Sequence, residues 1–205
     1  MISVILIGGG GHSRSCIDVI ECNDSISVRG VIVPESNWNT QVLGYPVLGN
    51  DDDLEKLIKY NPYAFVAVGQ IKTPEPRIRI YENLKRLNAI LPAIISSRSY
   101  VSRHSRIDEG TIVMHDALIN AGVDIGSNCI INSNATIEHD VKIESHVHIS
   151  TGALVNGGVI VRAGSFIGSG AILREGIDIG EGSVIGAGQV VLKSLPAGSY
   201  IRGPK

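Results

Sequence analysis

The sequence predicts a small α/β domain with a parallel sheet, followed by a parallel β-helix, and three observations support this division. Ile, Val or Leu recurs at every sixth position from Ile95 to Val191. Before residue 95, apolar stretches of strand length alternate with amphipathic stretches of helical length. Seven of the nine aromatic residues lie within the first 100 residues, so the core of the second half must be built from aliphatic side chains.

The first 90 residues have the alternation of strands and helices that is typical of a doubly wound sheet. A glycine-rich loop over 8–11 separates the first strand from the first helix. Strands are predicted at 3–7, 28–33 and 64–68, and helices at 12–21, 51–60 and 76–87. We therefore expect one domain over residues 1–92 and a second over residues 93–205.

A period of six fits neither the 3.6-residue turn of a helix nor the alternation of a hairpin strand, but it is typical of a parallel β-helix. Three repeats make a coil of 18 residues, so residues i and i+18 stack, and Ile119, Ile137 and Val155 are predicted to form one interior ladder. The run is expected to continue without an insertion to residue 196. Because such a coil cannot bury its outer faces alone, we expect self-association through a flat face.

The composition excludes several partners and locations. The formal net charge is −2 and no long basic block is present, so nucleic acid is not an expected partner. No apolar run approaches the ~20 residues that cross a bilayer, so no membrane span is predicted. Cys16, Cys22 and Cys129 form no C-x-x-C pair, which favours a reducing compartment, by default the cytoplasm, and argues against a cysteine zinc site.

The glycine loop, which leads into His12 and Ser13, is the first candidate site. Such a loop lets main-chain N–H groups approach an anion at a helix N-terminus, which predicts a nucleotide-linked ligand. Two alternatives remain open: the glycines could serve only a tight turn, or the loop could bind NAD. The dinucleotide pattern is imperfect, because Ser13 replaces its third glycine and Pro34 stands near the expected ribose-binding acid.

The second candidate is the cluster Glu138-His139-Asp140, which follows the interior residue Ile137. A carboxylate beside a histidine can fix its tautomer and basicity, as a general base requires. The alternative is a solvated surface histidine. A metal site is also conceivable, because the coil run carries five histidines, but His139 and His148 are half a coil apart. A single chain would not gather three imidazoles, so no metal is predicted.

Taken together, the hexads, the glycine loop with His12 and the Glu138-His139-Asp140 cluster resemble the sugar acyltransferases with a left-handed β-helix. The most similar group comprises the bacterial nucleotide-sugar N-acetyltransferases and sialic acid O-acetyltransferases (NeuD/PglD-like), which have an N-terminal Rossmann-like domain. This resemblance implies left-handed coiling and a homotrimer. It also implies a sugar nucleotide in the 1–92 domain and acetyl-coenzyme A in grooves between the β-helices of the 93–205 domain.

The resemblance also implies roles for individual residues. His139 matches the general base, and Asp140 orients it. Gly157, whose position one coil beyond His139 also follows from the 18-residue period, matches a glycine whose amide contacts the thioester carbonyl. The implied acetyl-coenzyme A contacts are His148, Gly157, Ser169, Gly186 and Ala187. The implied sugar-nucleotide contacts are Gly10, Gly11, His12, Ser13, Gly69 and Asn132.

Three departures from the family pattern affect the ligand contacts. Relatives often carry acids after the second strand, where this chain has Pro34-Glu35-Ser36. Gln70 stands where an asparagine is usual, so contacts to the base or ribose are in question, and uridine, thymidine and guanosine all stay open. The tail over 201–205 is short for the family.

The resulting expectation is N-acetylation of a nucleotide-linked amino-deoxysugar, a precursor of a surface polysaccharide such as a lipopolysaccharide O-antigen or of another glycan. An O-acetyltransferase of the sialic acid type is the nearest alternative. A metal-dependent β-helical hydratase and a non-catalytic assembly protein are the alternatives from other classes.

Overall fold

The computed structural model describes residues 1–34 and 41–202. Its N-terminal part is a sheet with three helices, and the expected α/β region is confirmed. The strands are β1 (Ile2–Ile7), β2 (Ile26–Ile32), β3 (Gln41–Val42), β4 (Tyr45–Gly49) and β5 (Ala64–Val66). The helices are α1 (Gly11–Glu21), α2 (Leu54–Tyr60) and α3 (Glu75–Arg86), and a short 3-10 turn, Asp51–Asp53, precedes α2.

The sheet has the order β3-β4-β2-β1-β5, in which β4, β2, β1 and β5 are parallel and β3 is antiparallel to β4. Successive side chains of a strand point to opposite faces. Val4 and Leu6 of β1 therefore pack on the α1 side, whereas Ile5 and Ile7 pack on the side covered by α2 and α3. The carboxyl ends of the parallel strands are left open, and ligands of such sheets bind at this edge.

The second part is a three-sided parallel β-helix made of two-residue strands. The strands are β6 (Ile94–Ile95), β7 (Tyr100–Val101), β8 (Arg106–Ile107), β9 (Ile112–Val113), β10 (Leu118–Ile119), β11 (Asp124–Ile125), β12 (Ile130–Ile131), β13 (Thr136–Ile137), β14 (Lys142–Ile143), β15 (His148–Ile149), β16 (Leu154–Val155), β17 (Ile160–Val161), β18 (Phe166–Ile167), β19 (Ile172–Leu173), β20 (Asp178–Ile179), β21 (Val184–Ile185), β22 (Val190–Val191) and β23 (Tyr200–Ile201). Ile119 pairs with Ile137, and Ile137 pairs with Val155, so the predicted ladder is confirmed.

The three sheets form three faces that differ in chemistry. The docked face (β6, β9, β12, β15, β18, β21 and β23) carries the α/β part on its first coils, where Ile94, Ile112 and Ile130 pack into the α1 core. The apolar face (β7, β10, β13, β16, β19 and β22) exposes Tyr100 and Leu154. The charged face comprises β8, β11, β14, β17 and β20.

The hexad repeat has a second regular feature besides its aliphatic residues, which is the backbone conformation at the corners of the coil. Every sixth residue from 110 to 188 has a positive φ. This conformation favours glycine, and among other residues asparagine, aspartate and histidine tolerate it best. Asn128 (φ 56°), Asp140 (φ 58°) and His146 (φ 63°) occupy such positions.

The regular run ends earlier than expected. Ile185 pairs with Ile201 and Ile179 pairs with Leu195, so partners in the last coil are 16 residues apart instead of 18. The expectation of an unchanged repeat to residue 196 is therefore wrong beyond Val191. The helices of the described ranges include none that is long and apolar enough to cross a membrane.

Candidate active site

His139 lies at an exposed corner of the β-helix, between β13 on the apolar face and β14 on the charged face. Its Nδ1 is 2.9 Å from Oδ2 of Asp140. A carboxylate accepts hydrogen bonds, so in the neutral form of His139 the Nδ1 carries the proton and donates it, and Nε2 keeps a free lone pair. The left-handed turn at Asp140 folds its carboxylate back onto the preceding imidazole. The two predicted residues therefore form the arrangement that a general base needs.

Gly157 lies directly below His139 in the next coil, as the 18-residue period predicts. A Cβ atom at Gly157 would lie only 2.7 Å from Nε2 of His139, so this close approach requires glycine. The N–H of Gly157 donates to no acceptor among residues 1–34 and 41–202. The corner forms an open cavity of about 590 Å³, which Glu138, Asn156 and Glu175 also line. A nitrogen lone pair and an amide donor without a partner among the described residues thus belong to two residues that line the same cavity.

Glu138 is the one member of the sequence cluster that points away from the imidazole. Its Oε2 accepts a 2.7 Å hydrogen bond from Nδ2 of Asn120, one coil earlier. This bond ties the start of the turn to the preceding coil, so it holds the corner that carries His139.

Five of the other predicted residues meet at the opposite edge of the apolar face. Asn132, His148, Ser169, Gly186 and Ala187 line a groove of about 500 Å³ along the docked face. Phe166, Lys72 and Tyr200 also line it, and sequence reasoning did not identify them. In one chain this coil groove is separated from the His139 corner by the width of the apolar face, because Asn132 precedes β13 and His139 follows it. The predicted site residues of the β-helix therefore fall into two clusters.

His148 differs from His139 in its environment. Its side chain is buried, its ring packs edge-on against Phe166 and its Nδ1 is 2.6 Å from the main-chain oxygen of Gln70. Burial, together with the positive charge of Arg77, lowers the pKa of His148 to about 4. The imidazole is therefore neutral near pH 7, and it can orient or bind groups but is a poor proton acceptor.

The glycine loop lies at the N-terminus of α1, and a cavity of about 250 Å³ opens beside it. Gly10 lines this cavity, and an added Cβ at Gly10 or Gly11 would contact nothing within 4 Å. Arg14, one turn into α1, also lines it and is a cation that sequence reasoning missed. The loop can thus offer main-chain N–H groups and one guanidinium to an anion.

The side chains of His12 and Ser13 do not face this cavity. Ser13 is fully buried, and neither its Oγ nor the buried Nε2 of His12 has a hydrogen-bond partner within the described part of the chain. Burial, together with the charge of Arg77, lowers the pKa of His12 to about 3. Contact of His12 and Ser13 with the sugar nucleotide stays a prediction, and in this conformation Ser13 would make it through its main chain.

A second cavity, of about 630 Å³, lies at the carboxyl edge of β1 and β2 on the side of the sheet that faces α3. Ile7, Ile32 and Leu54 form its apolar wall, and Arg79 and Asn83 of α3 add polar groups. Pro34 borders both cavities, so they flank the same strand end. Residues Glu35 and Ser36, where relatives often carry acids, lie outside the described residues, as do residues 203–205 of the short tail.

Gly69 and Gln70 lie at the junction of the two parts instead of in either cavity. A Cβ atom added at Gly69 would lie 3.4 Å from the Cβ of His12, so the two residues are in close contact. The side chain of Gln70 is buried and its Nε2 donates to the main-chain oxygen of His146, 3.0 Å away. The side chain of Gln70 is therefore directed at the β-helix, in agreement with its being a departure from the asparagine that is usual at this position.

Arg77 of α3 anchors the same junction and was not identified from sequence. Its buried guanidinium donates to the main-chain oxygens of Val66 and Val68 and to Asn128 of the β-helix. Burial lowers the pKa of Arg77 to about 10, so it stays charged at pH 7. No group of three or more His, Cys, Asp or Glu side chains that could hold a metal ion occurs in the described ranges.

Two family models match the chain. The PglD N-terminal domain model matches residues 3–84, and the bacterial transferase hexapeptide (six repeats) model matches residues 104–139 and 122–157. The sequence has no significant match among curated proteins.

Solved structures match nearly the whole chain. A perosamine N-acetyltransferase from Caulobacter crescentus, with one histidine replaced by asparagine and in complex with CoA and GDP-perosamine, is 31% identical, with a TM-score of 0.91 over 97% of this chain and 92% of that chain. The acetyltransferase domain of PglB from Neisseria gonorrhoeae FA1090 is 30% identical, with a TM-score of 0.88 over 98% of this chain and 96% of that chain. WeeI from Acinetobacter baumannii AYE is 22% identical, with a TM-score of 0.80 over 98% and 97%, which supports the fold alone.

These similarities confirm the fold, the resemblance and the class of enzyme that the sequence indicates. They extend over both parts of the chain, so both the α/β part and the β-helix have counterparts in the similar structures. The chain belongs to the PglD-type family of acetyltransferases, in which a PglD N-terminal domain is joined to a hexapeptide-repeat β-helix.

Proposed function

We propose that this enzyme transfers the acetyl group of acetyl-coenzyme A to the amino group of a nucleotide-linked amino-deoxysugar. The observation that carries this proposal is the corner where the lone pair of His139 Nε2 and the free N–H of Gly157 face one cavity. The similarity to an N-acetyltransferase that holds CoA and GDP-perosamine supports the two substrates. The relative in complex with acetyl coenzyme A supports the acyl donor.

The chemistry follows from the two groups at the corner. The sugar nitrogen attacks the thioester carbonyl, a C–N bond forms, and Nε2 of His139 takes the proton that the nitrogen loses. The carbonyl oxygen becomes an oxyanion, which accepts a hydrogen bond from the Gly157 N–H. When the C–S bond breaks, the thiolate leaves and takes the proton from the imidazolium. Asp140 stabilises the imidazolium while it exists, and general-base catalysis of this kind contributes roughly 10²–10⁴ in rate.

We place the complete site between neighbouring subunits of a homotrimer. The apolar face exposes Tyr100, Leu154 and Val190, at 59%, 39% and 59%, whereas the outward residues of the charged face include Arg106, Asp124 and Lys142. Burial of the apolar face around a threefold axis would bring the His139 corner of one subunit toward the coil groove of its neighbour. That arrangement joins the two clusters that one chain keeps apart.

We assign the sugar nucleotide to residues 1–92 and acetyl-coenzyme A to residues 93–205. The two cavities at the carboxyl edge of the sheet supply two cations, Arg14 and Arg79, for a diphosphate. The coil groove, with Ser169, Gly186 and Ala187 along one wall, suits the extended coenzyme. Because acetyl-coenzyme A is a cytoplasmic metabolite, we place the reaction in the cytoplasm.

The test is a screen of GDP-, UDP- and dTDP-linked amino sugars with acetyl-coenzyme A, in which the released thiol is measured. N-acetyl transfer predicts thiol release with at least one amino sugar and none with the matching hydroxy sugar. Faster release with a hydroxy sugar such as sialic acid would favour O-acetylation. Chelator-sensitive activity without acetyl-coenzyme A would favour the hydratase, and no binding of acetyl-coenzyme A by calorimetry would favour an assembly protein.

A further inference from the structure

A buried polar junction connects the loop after β5 to the coil groove. Gln70 on the loop and His148 on β15 are 3% and 6% exposed. Burying polar groups costs free energy unless their hydrogen bonds are made, so such a network tolerates few arrangements. The bonds at this junction therefore fix how its side chains are oriented.

Three hydrogen bonds run in one direction through the junction. The main-chain N–H of Ser133 donates to Oδ1 of Asn132, at 2.8 Å. Nδ2 of Asn132 lies 3.2 Å from Nε2 of His148, and Nδ1 of His148 lies 2.6 Å from the main-chain oxygen of Gln70. Both ends of this chain are main-chain groups, which cannot exchange donor and acceptor roles. Only one amide orientation of Asn132 and one tautomer of His148 satisfy all three bonds.

This tautomer has its proton on Nδ1 and a lone pair on Nε2. If His148 were protonated on both nitrogens, its Nε2–H would point at the Nδ2–H of Asn132. The low pKa of His148, caused by burial and by Arg77, agrees with the neutral form. Asn132 donates one of its two amide hydrogens to His148. Its second amide hydrogen is available to a ligand in the coil groove, which Asn132 lines.

The main-chain carbonyl of Gln70, which accepts from His148, is held in place from two sides. Nε2 of Gln70 donates to the main-chain oxygen of His146, which anchors the loop to the β-helix. Arg77 donates to the main-chain oxygens of Val66 and Val68 just before Gly69, which anchors the start of the same loop. The position of the acceptor for His148 is thus determined by the α/β part and by the β-helix together.

We propose that Gln70 is a positioning residue whose carbonyl fixes the tautomer of His148 and, through it, turns the free N–H of Asn132 into the coil groove. There the N–H donates to an uncharged carbonyl or hydroxyl oxygen of a bound substrate. This role deepens the proposed acetyl transfer and rests on it. The asparagine that is usual at position 70 has a shorter side chain than glutamine. The Gln70 side chain reaches the β-helix, where it bonds to the main-chain oxygen of His146.

The tautomer is tested directly by ¹⁵N NMR of the full-length enzyme labelled at histidine, with the His148 signals assigned by their loss in His148→Gln. The expected spectrum at pH 7 shows a protonated Nδ1 and a bare Nε2 for His148. A proton on Nε2, or exchange between the two tautomers, would overturn the proposal. This measurement needs no activity, so it stands even if the proposed acetyl transfer fails.

The functional consequence is tested with Gln70→Ala, which keeps the main-chain carbonyl but removes the bond from Nε2 to the His146 oxygen that holds this carbonyl in place. We expect kcat/KM for the amino sugar to fall by about tenfold or more, because a small displacement of a positioned donor is costly, and we expect His148 to show mixed tautomers. The control is Asn23→Ala, which removes a bond between the two parts at another place, from Nδ2 of Asn23 to the main-chain oxygen of Ile95, together with the bonds that its Oδ1 accepts from the N–H groups of Ser25 and Ile26. The control should lower thermal stability but leave kcat/KM within about twofold of the wild type. Wild-type kinetics together with a wild-type tautomer in Gln70→Ala would refute the role of Gln70.

Discussion

Nε2 of His139 lies so close to Gly157 of the next coil that a Cβ at position 157 would be 2.7 Å away. The imidazole and the free amide are therefore held together by the 18-residue stacking of the coil, without any contribution from a loop. This relationship makes Gly157 a catalytic residue in the proposed mechanism, and it also makes the glycine itself indispensable to the placement of the base.

Gly157→Ala is expected to displace the imidazole of His139 and to lower kcat by at least ~10², because both the base and the oxyanion donor are disturbed. Steady-state thiol release measures the effect. Gly182→Ala is the control for a destabilising Gly→Ala change away from the site, since Gly182 has a φ of 65° in another corner with open space around it, whereas Gly157 has no positive φ. The control should lose stability but retain kcat; equal losses of activity in both variants would contradict the assignment.

Asp140→Asn is expected to lower kcat by about tenfold, because the carboxylate no longer stabilises the imidazolium. The fold should be unaffected, since asparagine already occupies equivalent left-handed corner positions at Asn128 and Asn134. Circular dichroism and thermal unfolding check the fold, and kinetics check the effect. An Asp140→Asn enzyme with the wild-type kcat would show that the neighbouring carboxylate does not assist the base.

Acid is expected to destabilise the protein through two buried histidines, which are His12, whose pKa is about 3, and His148. The pKa of His148 is about 4 in the folded protein, against 6.5 ordinarily, so the unfolded chain binds a proton more readily between these values. The stability is fully present above pH 6.5 and is lost as the pH falls toward 4, by up to about 3 kcal/mol from this group.

Urea unfolding at pH 7 and at pH 4.5 measures this loss. In His148→Gln the difference between the two pH values should shrink, because glutamine does not titrate. An unchanged difference in that variant would mean that His148 is not the source of the acid sensitivity.

Leu154→Asp is expected to disrupt the proposed homotrimer, because it places a charge in the middle of the apolar face. Analytical ultracentrifugation should then show monomers, with activity reduced by at least ~10² because the two clusters separate. Lys142→Asp on the charged face is the control and should stay trimeric. A monomeric wild-type enzyme with full activity would refute the shared site.

Subunit mixing tests the same arrangement from another direction. His139→Ala alters the corner and Asn132→Asp alters the coil groove, so each homotrimer should be nearly inactive. Trimers reassembled from the two variants should regain activity where an intact corner of one subunit meets an intact groove of another. If mixed trimers stay as inactive as the parents, each site lies within one subunit.

The aliphatic hexads were sufficient to predict the β-helix, the ladder through Ile137 and the position of Gly157 below His139, because a coil of constant length converts sequence spacing directly into distance. The end of the run was not predicted, since Val191 still fits the period and the two-residue contraction follows it. The corners with positive φ carry a sequence signal of their own, which is the Gly, Asn, Asp or His that recurs at every sixth position from 110 to 188.

The junction could not be predicted from local patterns. Arg77 and Asn128 are 51 residues apart, and Gln70 and His148 are 78 apart. A guanidinium in a helical stretch such as 76–87 is usually solvated, so only the docking of the α/β part explains its burial. The burial of the His12 and Ser13 side chains could not be predicted for a related reason, because a glycine loop predicts where main-chain groups point and says little about the side chains that follow.

The most direct test of the account is mass spectrometry of nucleotide-linked amino sugars after incubation with acetyl-coenzyme A and either wild-type enzyme or His139→Ala. We predict that the wild type adds one acetyl group to the sugar nitrogen of at least one such substrate, and that the folded, trimeric variant does so at least ~10² more slowly. Acetylation by the variant at the wild-type rate would contradict the role of His139, and the absence of acetylated product with every amino sugar would contradict the proposed reaction.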